Sequence, residues 1–147
     1  MRNRWTAAAA FVAAAALALG ACGGGDDSSD DGGGGDNGPV NTEGAVDETG
    51  STEVAVAARD NVFEPETVTV DAGTTVTWTN DGRNDHNILD ASDAYSDATA
   101  TPFEVEAVAF TPGDEYSATL DEPGTYAYYC SLHGTPTGGM IGTIVVE

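Results

Sequence analysis

The amino-acid sequence predicts an all-β domain, a two-sheet β-sandwich of seven to eight short strands with Greek-key connections. Three observations carry this. Short runs rich in valine, threonine and aromatic residues alternate apolar and polar positions with period two, the pattern of strands that bury one face. Clusters of Gly, Pro, Asn and Asp punctuate these runs at regular intervals. The part of the chain that can fold shows no convincing helical periodicity, and seven or eight short strands with regular turns pack as a sandwich.

Taken in order, Thr52 to Ala58 alternates through Val54 and Val56, Glu66 to Val70 through Val68 and Val70, and Thr74 to Thr79 through Val76 and Trp78. Asp71-Ala72-Gly73 and Asn80-Asp81-Gly82 read as the turns after the second and third of these. Phe103 to Phe110 is a candidate strand, followed by the turn Thr111-Pro112-Gly113-Asp114, the strand Glu115 to Leu120 and the turn Asp121-Glu122-Pro123-Gly124. Thr125 to Cys130 and Ile141 to Val146 close the sheet pair. Residues 90–102, DASDAYSDATATP, read as a surface loop or a short irregular segment with no assigned function.

Ahead of this domain, residues 52–147, lie two segments of different character. Residues 1–21 begin with Arg2 and Arg4, continue through the apolar run Ala7 to Leu19, and end in Leu19-Gly20-Ala21 before Cys22. The run is too short to span a membrane and has the layout of a secretory signal. LGAC resembles a bacterial lipobox, whose cysteine is acylated and becomes the first mature residue, so Cys22 is expected to carry a lipid anchor; a plain secretory signal cut nearby is the alternative. Residues 22–51 are dominated by Gly, Ser and acidic side chains, have too little apolar surface to offset chain entropy, and are expected to form a disordered linker.

Charge excludes several functions. The chain has 25 acidic residues against four Lys and Arg, a formal net charge of −21. Cleavage after residue 21 removes Arg2 and Arg4 and no acid, leaving 25 acids against two arginines, or −23. Nucleic acid is thereby excluded as a partner, because phosphate binding needs Lys and Arg. Attraction to anionic lipid headgroups is disfavoured for the same reason, so attachment to a membrane must be hydrophobic.

The chemistry is concentrated near the C-terminus, in TYAYYCSLHGTPTGGMIGTIVVE. Between two strand-like runs lies a loop bearing a thiol, an imidazole and a thioether: Cys130, His133 and Met140. This soft donor set suits copper cycling between Cu(I) and Cu(II), whereas calcium or magnesium would require oxygen ligands. A second imidazole must come from elsewhere, and the sequence has two histidines, so His86 is the candidate. Cys130, His133, His86 and Met140 then make the two-histidine, one-cysteine site with a weak axial methionine used in blue-copper electron transfer, with zinc as the chemical competitor. A disulfide between Cys22 and Cys130 is disfavoured, because one lies in a disordered tail and the other at a strand end. No nucleophile and base pair is visible, so an enzyme is not expected.

Three blocks within Thr52 to Glu147 resemble the cupredoxins of the plastocyanin, amicyanin and halocyanin group. They are Phe63-Glu64-Pro65 leading through Val68-Thr69-Val70 to Gly73-Thr74-Thr75-Val76-Thr77-Trp78-Thr79-Asn80; His86-Asn87; and Gly124-Thr125-Tyr126-Ala127-Tyr128-Tyr129-Cys130 through His133 to Met140-Ile141-Gly142. The resemblance implies one mononuclear copper held by His86, Cys130, His133 and Met140, with Asn87 pinning the two ligand segments together and hydrogen-bonding near the thiolate. The spacing Cys-x2-His-x6-Met departs from plastocyanin-like loops, which usually have fewer residues between the last two ligands. Gly138 and Gly139 supply the backbone freedom to bring Met140 back to the metal.

Tyr129 alternates to the opposite side from Cys130, is expected to face outward, and resembles the surface tyrosine of plastocyanins, which makes it a candidate for the electron path. The ring edge of His133 is expected near the surface as the electron port. The resulting expectation is a monomeric, lipid-anchored electron carrier at the extracytoplasmic membrane face, serving redox protein partners such as a membrane oxidoreductase or a copper enzyme. A copper-binding protein for storage, delivery or tolerance, and a structural sandwich with a vestigial site, are the alternatives.

Overall fold

The structure, a computed structural model, describes residues 38–147. The signal segment, Cys22 and the acidic stretch through residue 37 lie outside the described residues. Two mixed sheets pack face to face. One has the order β1 (Val46–Asp47), β4 (Thr67–Val70), β9 (Gly138–Val146), β8 (Gly124–Thr135) and β6 (Leu89–Asp90); the other runs β3 (Val62–Glu64), β2 (Glu53–Arg59), β5 (Thr74–Asn80) and β7 (Glu115–Leu120). The pairs β2/β5 and β4/β9 are parallel and non-consecutive, so the chain crosses between sheets as a Greek-key sandwich must.

The alternation seen in the sequence is what the pleat does. On β5, Thr74, Val76, Trp78 and Asn80 point inward and are buried, while Thr75, Thr77 and Thr79 face the partly exposed side. Trp78 anchors the core, with its ring 4.7 Å from Phe103 and 5.7 Å from Tyr128, centroid to centroid. Aromatic pairs of this kind add to what area burial alone contributes. The same core holds Cys130 and Met140, both fully buried.

Three expectations need correction. The acidic linker was expected to run through residue 51, yet the folded unit already includes residues 38–51: β1 pairs in parallel with β4, and Val40 is buried in a small apolar cluster on the outer face of the first sheet. Val40 supplies an apolar contact there, and Val46 a strand pairing, that composition averaged over the whole acidic stretch conceals. Phe103 to Phe110 is not a strand. Only Val105 pairs, with Ile88, and Ala107–Ala109 forms a 3-10 turn, so Phe103, Val105 and Phe110 fill the core from an irregular segment.

Residues 90–102 take the second of the two expected forms, a short irregular segment. They include part of β6 and a 3-10 turn, Ser92–Ala94, fixed to the sheet by hydrogen bonds from Ala91 N to Ala127 O and from Thr99 N to Thr125 O. The third correction concerns the ligand loop. β8 and β9 do not end at Cys130 and Ile141 but continue as a hairpin, with Gly134 paired to Gly139 and Thr135 to Gly138.

Candidate metal centre

The site is built where two segments meet at one end of the sandwich. The first follows β5. Asn80, the last inward-facing residue of that strand, donates from Nδ2 to the carbonyls of Asn84 and Phe110, each at 2.9 Å, and accepts from Gly82 N at 3.1 Å. His86 N donates to the same Phe110 carbonyl at 3.1 Å. A buried amide thus shapes the turn that delivers His86, Asn87 and Ile88 into the interior, all three buried. Sequence reasoning read Asn80 as a turn former alone. Its place on the inward side of the alternation was the signal for a buried organising role.

The second segment is a bulge between β8 and β9. Tyr129 pairs with Ile141 and Gly134 with Gly139, so four residues on β8, Cys130 to His133, stand opposite one on β9, Met140. Extra residues on one strand force a local bend and re-aim the side chains there. Here the bulge holds Cys130, His133 and Met140 together. Cys130 and Met140 are both fully buried and belong to the core between the sheets. Two glycines make the tight return possible. Gly139 has φ +82°, and a Cβ there would lie 2.7 Å from His133 O. A Cβ on Gly134 would lie 2.6 Å from Met140 N. A Cβ on Gly138 would meet only Thr135 Oγ1, at an ordinary 3.9 Å, so the pair that matters is Gly134 and Gly139.

The donor atoms converge. The ligand-competent atoms of His86, Cys130 and His133 all lie within 4.8 Å of one another. Nδ1 of His86 is 3.7 Å from Cys130 Sγ and Nδ1 of His133 is 3.6 Å from it, with the two rings edge to face at 4.9 Å between centroids. Burial first, and then the neighbouring His133, lower the pKa of His86, which keeps the ring neutral and its lone pair available. His86 Nε2 is buried and makes no hydrogen bond among the described residues, and the Asp85 and Asp60 carboxylates offset the lowering only in part. Cys130 Sγ accepts a hydrogen bond from Asn87 N at 3.4 Å. A sulfur, two imidazole nitrogens and a buried thioether, with no carboxylate among them, are the soft donors that fit copper.

Asn87 ties the two segments, with Nδ2 donating to Ser131 Oγ at 2.9 Å and Oδ1 accepting from Ser131 N at 2.8 Å. Ser131 had carried no expectation, since serine beside a ligand cysteine has no distinctive pattern. His133 is partly exposed and its neighbour Leu132 is 52% exposed, so this imidazole borders solvent while His86 does not. Tyr129 does lie on the opposite face of β8 from Cys130, but it is half-buried rather than outward-facing. The cluster of Val40, Ala91 and Ala127 packs against it, again because the segment before residue 52 is folded.

Comparison with known proteins gives a consistent picture. The model of the family described as copper binding proteins, plastocyanin/azurin family, matches residues 50–147. Plastocyanin of Scenedesmus fuscus is 45% identical over 87 residues, which cover 58% of this chain and 87% of that protein. A reduced variant of amicyanin superposes with a TM-score of 0.51 at 28% identity, over 68% of this chain and 87% of its own. A copper-containing nitrite reductase from Thermus scotoductus superposes with a TM-score of 0.52 at 28% identity, over 64% of this chain but 22% of the reductase.

Proposed function

Because the chain belongs to the plastocyanin/azurin family of copper-binding proteins, we propose that it works as a blue copper electron carrier on the extracytoplasmic side of a membrane. The observation that carries this reading is the convergence of His86, Cys130 and His133 within 4.8 Å at a bulge that also contains the buried Met140. Bound there, copper supplies a one-electron Cu(I)/Cu(II) couple.

The residues of the chain do the rest. Cys130 supplies a thiolate whose charge the Asn87 N–H partly offsets, and the two imidazoles supply neutral nitrogen. Asn87 and Asn80 fix the ligand segments by hydrogen bonds that do not involve the metal, so the donors are held in place whatever the oxidation state. A rigid donor set keeps the rearrangement on electron transfer small. The sandwich core closes water off from His86 and Cys130. His133, at the partly exposed edge beside Leu132, is the side chain through which an electron reaches a docked protein.

All four donors come from the protein, which supports a carrier rather than an enzyme; the chemistry of the nitrite reductase belongs to a chain of which this fold is a small part. The partners in this reading are redox proteins that dock transiently as the chain works as a monomer, and Tyr129 offers a second route into the β8 backbone. The LGAC sequence supports attachment through a lipid on Cys22. Detergent-phase partitioning of Cys22→Ser should move the protein to the aqueous phase, and unchanged membrane association would remove the anchor from this reading.

The direct test is visible absorption of the protein reconstituted with Cu(II). Intense thiolate-to-copper absorption is expected, and it should vanish in Cys130→Ser. A colourless copper adduct of the unaltered protein would overturn the carrier reading.

A further inference from the structure

The segment of residues 91–99 lies against the outer face of the sheet that carries the ligand hairpin, away from the metal donors. Tyr95, within it, donates from its hydroxyl to the carbonyl of Pro136 at 3.0 Å. Pro136 and Thr137 are the two residues of the hairpin turn, between the paired positions Thr135 and Gly138. This places the contact at the tip of the element whose arms carry His133 and Met140.

The segment is itself held from two sides. Ala91 N donates to Ala127 O at 3.0 Å and Thr99 N to Thr125 O at 2.7 Å, so its ends are fixed to β8. Its middle is fixed to the start of the folded unit, with Ser96 N donating to Gly38 O at 3.1 Å and Val40 N donating to Asp97 Oδ1 at 2.8 Å. The Tyr95 ring packs in the outer cluster with Ala91, Ala127 and Tyr129. Burial, and then the Glu66 carboxylate, push its phenol pKa upward, so the hydroxyl stays a donor.

The six residues between His133 and Met140 create the need for such a contact. A longer spacer gives the turn more conformations to lose when both ligands are in place, and most of residues 131–137 are exposed or partly exposed. Elements of this kind open locally at low free energy cost. A hydrogen bond at the tip from a segment anchored elsewhere removes that freedom without touching the donor atoms.

We propose that residues 91–99 are a clamp that positions the copper-ligand hairpin, with Tyr95 as the positioning residue acting on His133 and Met140 through Pro136. The proposal deepens the copper reading and rests on it for the metal-dependent part of its test. The clamp also joins the start of the described residues, at Gly38 and Val40, to the ligand hairpin through one short segment.

The test compares Tyr95→Phe with Tyr126→Phe. Tyr126 also donates its hydroxyl to a backbone carbonyl, Glu122 O at 2.7 Å, but at the opposite end of β8. Loss of one hydrogen bond should let Cu(II)-loaded Tyr95→Phe surrender copper to EDTA about two- to tenfold faster than the unaltered protein. Its reduction potential should shift, and in metal-free protein the amides of residues 134–139 should exchange faster by a similar factor. Tyr126→Phe should lose global stability in urea while leaving copper release, potential and hairpin exchange unchanged. Equal copper release and equal hairpin exchange in the two variants would overturn the clamp. If the unaltered protein showed no thiolate-to-copper absorption, the copper reading would fall, and the exchange measurement on metal-free protein would still decide the clamp.

Discussion

Asn87 shows how one residue serves two purposes with separate atoms. Its backbone N–H faces Cys130 Sγ, while its side-chain amide exchanges two hydrogen bonds with Ser131 on the other ligand segment. The contact to sulfur uses no side-chain atom, whereas the two contacts with Ser131 depend on the carboxamide. Asp90 acts similarly for the clamp segment. Burial raises the pKa of its carboxyl, but hydrogen bonds from Ser92 Oγ at 2.6 Å and Thr101 N at 2.8 Å outweigh burial and hold it below the ordinary carboxylate value. With the folded value depressed, its contribution to stability is complete above the ordinary value of 3.8 and is lost as pH falls through the folded one. Urea unfolding of the metal-free protein should accordingly lose stability in that acid window, and Asp90→Asn should flatten the loss. An identical pH slope in the variant would show that Asp90 is not responsible.

At the scale of the element, the β8–β9 hairpin carries most of the function in a conformation its sequence only half discloses. The replacement Gly139→Ala places a Cβ at φ +82° and 2.7 Å from His133 O. Strain of this kind costs about 1–3 kcal/mol, to be read as reduced stability of the metal-free protein in urea and weakened copper binding. Full stability and unchanged copper release would mean that the bulge tolerates another path. Four donors were legible because cysteine, methionine and histidine are rare here and chemically distinctive, and β5 and β7 because their alternation is clean. The bulge was not legible. Pairing of Gly134 with Gly139 depends on closure across the turn, and local pattern at Gly-Thr-Pro-Thr-Gly-Gly signals a loop equally well. Phe103 to Phe110 misled for the opposite reason: apolar residues at roughly alternate positions suit a strand, yet this segment buries them with a single bridge at Val105. Val40 and Val46 were lost in the average of an acidic stretch.

For the whole molecule, charge is the dominant fact, and it acts with opposite signs on stability and on encounter. The basic side chains of the described residues, Arg59 and Arg83, make ion pairs with Glu64, Asp81 and Asp60, but every member is at least 46% exposed. Exposed pairs contribute about 0–1 kcal/mol each, while repulsion among the many remaining carboxylates opposes the compact state throughout. Salt screens both, with a Debye length of about 10 Å at 0.1 M, and the repulsion is the larger sum. Added salt should therefore raise the thermal unfolding midpoint of the metal-free protein. The same negative field would accelerate approach of a positively charged redox protein, so electron-transfer rates with a basic partner should fall about tenfold or more between low and physiological ionic strength. Measuring the first on metal-free protein and the second on the copper-loaded form separates the effects. A midpoint that drops with salt would show that the arginine pairs outweigh the repulsion, and a salt-independent rate would show that docking at the His133 end is governed by contact rather than by charge.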